Sequence, residues 1–267
     1  RTNPTTGYWQ SNIRFENRVV MDLGISGRTA LVTGASRGLG LSSARALSNS
    51  GVKVCLVSRS TDRLLAAAQE LPDDCHTIAS DLSDSSSIQS MLKEVKEIFG
   101  VVDILVANAG GPPPGNFENT ATEDFLEALQ LNLLSTVEMC KGLIPEMTHR
   151  GWGRVVAITS IAVREPMAQL ILSNTARSGL TSFLKTTATE VAGNGVTVNS
   201  IQPGLHATER LTELYEDLEG VAGNVPTGKL GNPDDFGEVV AFLCSEQAKF
   251  ITGAAIPVDG GAAKGLQ

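Results

Sequence analysis

A glycine-rich segment near the start of the chain has the residue types and spacing that bind phosphate. It follows an apolar run of strand length and leads directly into sequence with helical periodicity. Glycines let the backbone turn sharply and approach a pyrophosphate, while the free N–H groups and dipole of a helix start favour its negative charge. Between a strand and a helix, these glycines predict a dinucleotide-binding turn. The predicted cofactor contacts are Gly34, Ser36, Arg37, Gly38, Leu39 and Gly40.

The end of the next predicted strand indicates which dinucleotide binds. NAD-binding units place a carboxylate there, about 20 residues after the glycine turn, to hold the ribose hydroxyls. This chain has Ser58 and Arg59 at that place and no carboxylate. A guanidinium can grip a 2′-phosphate through two hydrogen bonds, and Arg37 adds a second positive charge. The residues therefore favour NADP(H), with Ser58 and Arg59 as contacts.

These residues need a scaffold that brings strand ends together, and the sequence pattern predicts one. Apolar runs of strand length alternate with longer amphipathic stretches. The predicted strands are 29–32, 53–57, 76–79, 104–107, 154–159, 197–201 and 255–258, and the main predicted helices are 39–49, 85–99, 122–149 and 168–191. This alternation predicts a doubly wound parallel sheet, a Rossmann fold with three α/β/α layers, whose ligand lies beyond the carboxyl ends of the strands.

Length and charge restrict the class of protein. The 267 residues suit a single domain at 26–267, while 1–25 have no clear period and are interpreted as an arm or an expression remnant. Twenty-one basic and 29 acidic residues give a charge of -8 without a basic stripe, so nucleic acid and anionic membranes are not expected partners. Without a spanning run or secretory pattern, we expect a cytoplasmic protein.

The distribution of possible metal ligands predicts no metal site. The four cysteines form no CxxC pair, and the three histidines are equally dispersed. We expect the cysteines to be small, mostly buried thiols.

In these motifs the chain resembles the short-chain dehydrogenase/reductase family, from Gly27 to Gly261. The glycine turn has the TGxxxGxG spacing, and Asn108-Ala109-Gly110 is similar to the family's NAG motif. Val258-Asp259-Gly260-Gly261 matches its closing strand. The resemblance implies a small-molecule carbonyl or alcohol substrate and a homotetramer or homodimer, with the two long helices at two-fold interfaces.

The resemblance also implies roles for individual residues. Asp81, followed by Leu82, would lie beside the adenine, and Pro203, Gly204 and Thr208 would contact the nicotinamide. Asn132 matches the asparagine that supports a proton-relay water, and Ser160 matches the catalytic serine.

The sequence departs from the family at the catalytic Tyr-x-x-x-Lys. Thirteen residues after Ser160 stands Ser173, and four further on stands Arg177. A serine hydroxyl is a far weaker acid than a phenol and is shorter by a ring. Arg177 can hold the nicotinamide ribose, but it stays protonated and cannot relay a proton as a lysine can. The only tyrosines are Tyr8 and Tyr215, and neither fits the motif.

Two further residues are candidates for the missing acid. Arg164 could stabilise a developing oxyanion, or it could be a loop arginine paired with Glu165. His206 could approach the pocket when a lid closes, or it could be an ordinary surface histidine. We expect that lid at residues 205–228, where Thr, Glu, Leu and Gly are mixed.

The preferred hypothesis is therefore an NADP(H)-dependent oxidoreductase, acting on a 3-oxoacyl group or another ketone. Its proposed catalytic residues are Asn132, Ser160, Ser173, Arg177 and Arg164. A cofactor-binding sensor or scaffold without turnover is the rival hypothesis, and dehydration or isomerisation is a third.

Overall fold

Seven parallel strands form one sheet in residues 21–72 and 75–265, which are the residues that the computed structural model describes. The strands are β1 (Thr29–Thr33), β2 (Lys53–Ser58), β3 (His76–Ala79), β4 (Ile104–Ala107), β5 (Gly153–Ile158), β6 (Val196–Pro203) and β7 (Ala255–Val258). Their order is β3-β2-β1-β4-β5-β6-β7. The predicted doubly wound α/β fold is confirmed, with each predicted strand within two residues of its observed ends.

Both faces of the sheet are buried, which explains the nearly continuous apolar runs of the strands. In β1, Ala30 and Val32 face one core, whereas Leu31 between them faces the other. In β5, Val156 and Ile158 belong to the first core, and Val155 to the second. Successive side chains of a strand point to opposite faces, so burial on both sides favours apolar residues at successive positions, as in β1. β6, by contrast, also buries polar side chains.

Helices cover the two faces of the sheet. They are α1 (Gly38–Asn49), α2 (Thr61–Ala68), α3 (Ser85–Phe99), α4 (Thr122–Leu129), α5 (Ser135–Arg150), α6 (Ile171–Val191), α7 (Glu209–Leu214), α8 (Leu218–Gly223) and α9 (Pro233–Leu243). Buried residues of α1, α2 and α9 contribute to the first core, and those of α3, α5 and α6 to the second. None of the helices in the described residues is long and apolar enough to cross a membrane.

Two of the predicted helices need correction. The helix expected at 122–149 is divided, because a π-helical turn at Gln130–Leu134 separates α4 from α5. A π turn adds one residue to a helix without breaking its apolar pattern, so periodicity does not reveal it. The helix expected at 168–191 begins only at Ile171, after Gln169 adopts a positive φ of 63°.

The fold places its ligand crevice between β1 and β4. The chain winds outward from β1 to β3 and then returns to β4 on the other side of β1. Connections leave β1 and β4 in opposite directions at this switch point, which opens a crevice beyond their carboxyl ends.

The start of the described chain already packs on the domain. Residues 1–20 of the predicted 1–25 arm lie outside the described residues. Ile25 is buried in the first core and Leu23 packs against it. The last residues of that segment therefore belong to the folded domain.

Candidate active site

The ends of β1 and β4 are tied together at the floor of the crevice. Asn108 donates through Nδ2 to the Gly34 carbonyl at 3.2 Å, and its backbone N donates to Thr33 Oγ1 at 2.9 Å. A side chain at Gly34 would meet the Asn108 amide 2.6 Å away, and φ there is +57°. A side chain at Gly40 would collide with the Gly34 carbonyl. Both glycines are thus needed for the turn to close onto β4.

The start of α1 leaves backbone donors free for a ligand. Its N-cap residue, Arg37, is extended and makes no side-chain capping hydrogen bond. By contrast, α2, α3 and α9 are capped by Ser60, Asp84 and Asn232. Uncapped N–H groups at a helix start bind an anion well. The geometry therefore fits the pyrophosphate of a dinucleotide.

The far end of the crevice carries the residues expected at the adenosine. The register of β2 and β3 pairs Ser58 with Ala79, so Arg59 and Asp81 follow neighbouring strand ends. Arg59 is exposed. The Asp81 carboxylate accepts hydrogen bonds from Ser83 N and Oγ, which lower the pKa of that carboxyl. Leu82 is buried beside it.

Arg37 is bound to α7 in this structure. Its Nη1 donates to Glu209 at 2.6 Å and to Glu213 at 2.9 Å, and these hydrogen bonds raise the pKa of the guanidinium. Both carboxylates are bound by Nη1 alone, so the Nε and Nη2 donors of Arg37 remain for a 2′-phosphate beside two negative charges. Arg59, for which the described residues offer no hydrogen-bond partner, is the better candidate for that phosphate.

A cavity of about 330 Å³ extends from the glycine turn past the ends of β4, β5 and β6. The predicted site residues on its wall are Gly34, Arg37, Gly38, Leu39, Asn108, Ala109, Gly110, Ser160, Ser173, Arg177, Pro203, Gly204 and Thr208. Residues from distant parts of the sequence therefore meet at one crevice.

The guanidinium of Arg177 is buried between two strand ends. It donates to the Ile158 carbonyl at 2.9 Å and to the Ala109 carbonyl at 3.1 Å. Burial lowers the pKa of Arg177 to about 10, so it still carries its charge at neutral pH. The guanidinium therefore brings a fixed positive charge to the cavity wall and braces β4 against β5.

The two serines on this wall come from different elements. Ser160 follows β5, and its Oγ accepts a hydrogen bond from Ala162 N at 3.1 Å. That leaves its hydroxyl proton available for another acceptor. Ser173 lies in the first turn of α6 and is buried. Both serines line the same cavity.

Asn132 lies in the π-helical turn behind the cavity. Its Nδ2 donates to the Gly110 carbonyl at 2.8 Å. Its Oδ1 is buried and finds no partner among the described residues. An unsatisfied buried acceptor is costly, so a bound water or ligand donor fits at this atom.

The structure does not bring Arg164 to the cavity. Its Nε donates to Gln202 Oε1 and its Nη2 to the Ala255 carbonyl, so it links β6 to β7. Glu165 does not pair with it, because that carboxylate accepts backbone N–H groups of Lys264 and Gly265. Arg164 therefore does not lie where the sequence predicted it, as a donor to an oxyanion in the cavity.

His206 is buried rather than on the surface. Its Nδ1 lies 3.2 Å from the Gly204 carbonyl, and its ring packs edge-on against Phe236. Burial lowers its pKa, which favours the neutral imidazole. His206 lines the cavity, but its Nδ1–H is committed to a carbonyl.

No motif in the sequence indicated a further part of the cavity wall, which is formed by α7, the chain on either side of it and the loop after Ser160. These residues are Ile161, Met167, Leu170, Leu205, Leu211, Leu214 and Tyr215. The lid predicted at 205–228 contains four of these residues. Residue spacing within that segment does not show which of its side chains face the crevice. Among the described residues, no cluster of His, Cys, Asp or Glu could hold a metal ion.

The fold and the crevice define a dinucleotide-binding α/β protein, and comparison with known proteins gives its family. A family profile described as enoyl-(acyl carrier protein) reductase matches residues 34–263. The 3-oxoacyl-(acyl-carrier-protein) reductase FabG of Haemophilus influenzae is 34% identical over 239 residues, covering 89% of this chain and 98% of that protein.

Solved structures agree with this assignment. L-sorbose reductase from Gluconobacter frateurii, complexed with NADPH and L-sorbose, has a TM-score of 0.87 and 33% identity, covering 92% of this chain and 100% of that chain. An actinorhodin polyketide ketoreductase with NADPH has a TM-score of 0.85 and 29% identity, covering 89% and 98%. The chain belongs to the short-chain dehydrogenase/reductase family of oxidoreductases.

Proposed function

We propose that this enzyme binds NADP(H) in the crevice and interconverts a carbonyl group and a secondary alcohol. The observation that carries the proposal is that the glycine turn, Ser160, Ser173 and Arg177 line one and the same cavity. Two of the similar solved structures contain NADPH, which supports the same cofactor here. When bound, the nicotinamide supplies or accepts the hydride.

The residues of the chain would hold the cofactor along the crevice. The uncapped start of α1 receives the pyrophosphate, and Arg59 receives the 2′-phosphate. The charge of Arg177 and the 203–208 segment hold the nicotinamide end. Fixing both ends orients the reacting carbon against the substrate, which is a large part of the rate enhancement in such reactions.

The substrate oxygen would lie between the two hydroxyl groups of Ser160 and Ser173. We propose that Ser173 and Arg177 occupy the positions where the family has tyrosine and lysine, because the spacing after Ser160 agrees and both line the cavity. Asn132 would hold a water behind the site through its unpartnered Oδ1. These groups stabilise an oxygen, but neither serine is an efficient proton donor.

The lining of the cavity favours an apolar ketone. Met167, Leu170, Leu211 and Leu214 line the same cavity as the two serines. Burying a polyol against these side chains would leave its hydroxyl groups without partners, at a cost of about 1–3 kcal/mol each. An aliphatic or 3-oxoacyl ketone therefore fits better than a sugar.

Steady-state turnover tests the proposal and separates it from the rival function. NADPH oxidation would be followed against aliphatic ketones, 3-oxoacyl thioesters and L-sorbose. We expect turnover with the first two classes and little with the sugar. A non-catalytic sensor or scaffold would bind NADPH but consume it with no substrate, and that result would overturn the enzymatic proposal.

We also propose a homodimer or homotetramer in the cytoplasm. Leu126 and Leu134 are 67% and 42% exposed on the α4–α5 segment, and β7 is an edge strand, so both surfaces could be covered by a second copy. Light scattering coupled to size-exclusion chromatography would give the mass, and a monomer at micromolar concentration would contradict the proposal.

A further inference from the structure

The site described so far has no efficient proton donor. Reduction of a carbonyl needs a proton on the oxygen as the hydride reaches the carbon, and general acid catalysis typically contributes about 10²–10⁴-fold. The inference about which side chain gives that proton rests on the proposed function, the interconversion of a carbonyl group and an alcohol. Every titratable group on the cavity wall is therefore a candidate.

Two of these groups, Arg177 and His206, are unsuited by their chemistry or their contacts. Arg177 remains charged, and it already donates to the carbonyls of Ile158 and Ala109. His206 is driven towards its neutral form by burial, and its Nδ1–H is directed at the Gly204 carbonyl. A neutral imidazole whose proton is already shared is a poor acid.

The charged groups at the mouth of the cavity are engaged with one another. Glu209 and Glu213 accept hydrogen bonds from Arg37, and the bond from Arg37 lowers the pKa of the Glu213 carboxyl. Arg210 lies 3.3 Å from Glu213. Salt-bridged carboxylates have given up their protons, and arginine does not release one near neutral pH.

Tyr215 is the remaining group. It directly follows α7, is half-buried, and lines the same cavity as Ser160 and Ser173. Its backbone N donates to the Leu211 carbonyl at 3.0 Å, and its extended backbone turns the chain at the end of α7. In the described residues, no hydrogen bond occupies its phenol.

Contacts on both sides of the crevice hold α7 in place and so position Tyr215. On one side, Arg37 in the glycine turn binds Glu209 and Glu213. On the other side, Arg210 reaches the Pro112 carbonyl, in the loop that follows β4. The phenol is thus brought to the cavity by the lid rather than by α6.

We propose that Tyr215 is the catalytic acid of this enzyme and replaces, from the lid, the phenol that α6 lacks. In the reduction, two electrons and a proton pass as a hydride from the nicotinamide to the carbonyl carbon. The Oη–H bond of Tyr215 breaks, and its proton bonds to the carbonyl oxygen. The phenolate then regains a proton from water, which reaches this half-buried side chain.

Removal of the phenol oxygen tests the proposal. Tyr215→Phe keeps the ring and should lower kcat by about 10²–10⁴-fold while changing NADPH affinity less than threefold. The matched control is Tyr8→Phe, which should keep the parent kcat. In the parent, kcat/KM for reduction should fall on the alkaline side as the phenol ionises, and this limb should be absent in Tyr215→Phe.

Absorbance gives a second readout that does not depend on turnover. Because the chain has two tyrosines, Tyr8→Phe leaves Tyr215 as the single phenol. Its phenolate absorption can be titrated in the folded protein with NADP⁺ bound. We expect the midpoint of this titration to coincide with the alkaline limb of kcat/KM.

The outcomes distinguish the two proposals. If the parent reduces ketones and Tyr215→Phe keeps its kcat, this inference is overturned while the proposed function stands. If kcat falls but the alkaline limb persists, Tyr215 only positions the substrate, and the acid role is overturned. If the parent consumes NADPH with no ketone, both proposals fail.

Discussion

At the scale of single residues, an arginine at position 177 gives the cavity wall a chemistry that a lysine would not. Lysine can lose its proton when buried, whereas the guanidinium of Arg177 remains charged even with its pKa lowered to about 10. It can make several hydrogen bonds at once, and here it joins the Ile158 and Ala109 carbonyls. Arg177 therefore has a structural and electrostatic role, and proton transfer must come from elsewhere.

Introducing the family's tyrosine and lysine at positions 173 and 177 should compensate for loss of the Tyr215 phenol. In the Tyr215→Phe background, Ser173→Tyr with Arg177→Lys should raise kcat for a simple ketone by about tenfold or more, because a phenol again faces the cavity. NADPH affinity should change little. Stopped-flow and steady-state measurements of NADPH oxidation would compare the variants.

The control for this experiment is Ser173→Tyr alone, in which Arg177 keeps its bonds to the two strand ends. Should the double change leave a folded, NADPH-binding protein with no gain over Tyr215→Phe, the position of Ser173 would not be that of the family's tyrosine.

Arg59 is expected to select the phosphorylated cofactor. Arg59→Ala should weaken NADPH binding by about one to two decades, corresponding to roughly 1.5–3 kcal/mol for a charged hydrogen-bonding partner, and should leave NADH binding nearly unchanged. Calorimetric or fluorescence titration would measure both. Arg63→Ala, on the exposed side of α2, is the matched control. Equal affinities of the parent for the two cofactors would contradict the assignment.

At the scale of elements, α7 forms part of the crevice wall. It is a six-residue helix, too short to be stable alone, and it is held mainly by exposed ion pairs. Exposed ion pairs contribute little to stability, because water and salt screen them. The same contacts join α7 to Arg37 in the glycine turn, so the position of α7 is linked to the turn that is proposed to bind the cofactor.

The lid should therefore exchange its amide hydrogens faster than the sheet. Without ligand, we expect residues 205–228 to be the fastest-exchanging part of the folded domain, and NADPH with a ketone analogue should slow them. Glu209→Gln with Glu213→Gln should speed exchange in α7 but not in β5. Hydrogen exchange followed by mass spectrometry measures both segments. Protection of 205–228 equal to that of the sheet, with and without NADPH, would rule out a moving lid.

At the scale of the whole molecule, stability depends on two cores on either side of one sheet. His206 belongs to the first side, where its ring packs against Phe236 in the base of α9. Burial lowers its pKa below the ordinary value of 6.5, so the folded state binds the proton less readily than the unfolded chain does. The stability that depends on its neutral form is present above about pH 6.5 and is lost as the pH falls.

This linkage predicts a pH-dependent difference between two histidine variants. His206→Asn can still donate to the Gly204 carbonyl but does not titrate, so its free energy of unfolding should fall less than that of the parent between pH 7 and pH 5. His149→Asn changes an exposed histidine and should keep the contribution of His206. Urea unfolding at each pH gives the values. A parallel pH dependence in parent and His206→Asn would contradict this account.

The sequence by itself determined the parallel sheet, the glycine turn and the family. Each is encoded locally. Burial on both faces favours a continuous apolar run, such as Ala30, Leu31 and Val32, and the turn that closes onto a neighbouring strand needs glycine at Gly34 and Gly40. The sequence also predicts that Ser173 and Arg177 stand at the positions of the family's tyrosine and lysine, because that motif has a fixed spacing along one helix.

Only the tertiary structure decided which side chains share the cavity. Arg164 follows Ser160 by four residues, yet its guanidinium is bound between β6 and β7. Tyr215 lies 42 residues beyond Ser173, yet it lines the same wall. The path of the lid is set by ion pairs between Arg37 and residues more than 170 positions away. Contacts at such separations depend on how the packed elements fold over the crevice, and no local period or spacing encodes them.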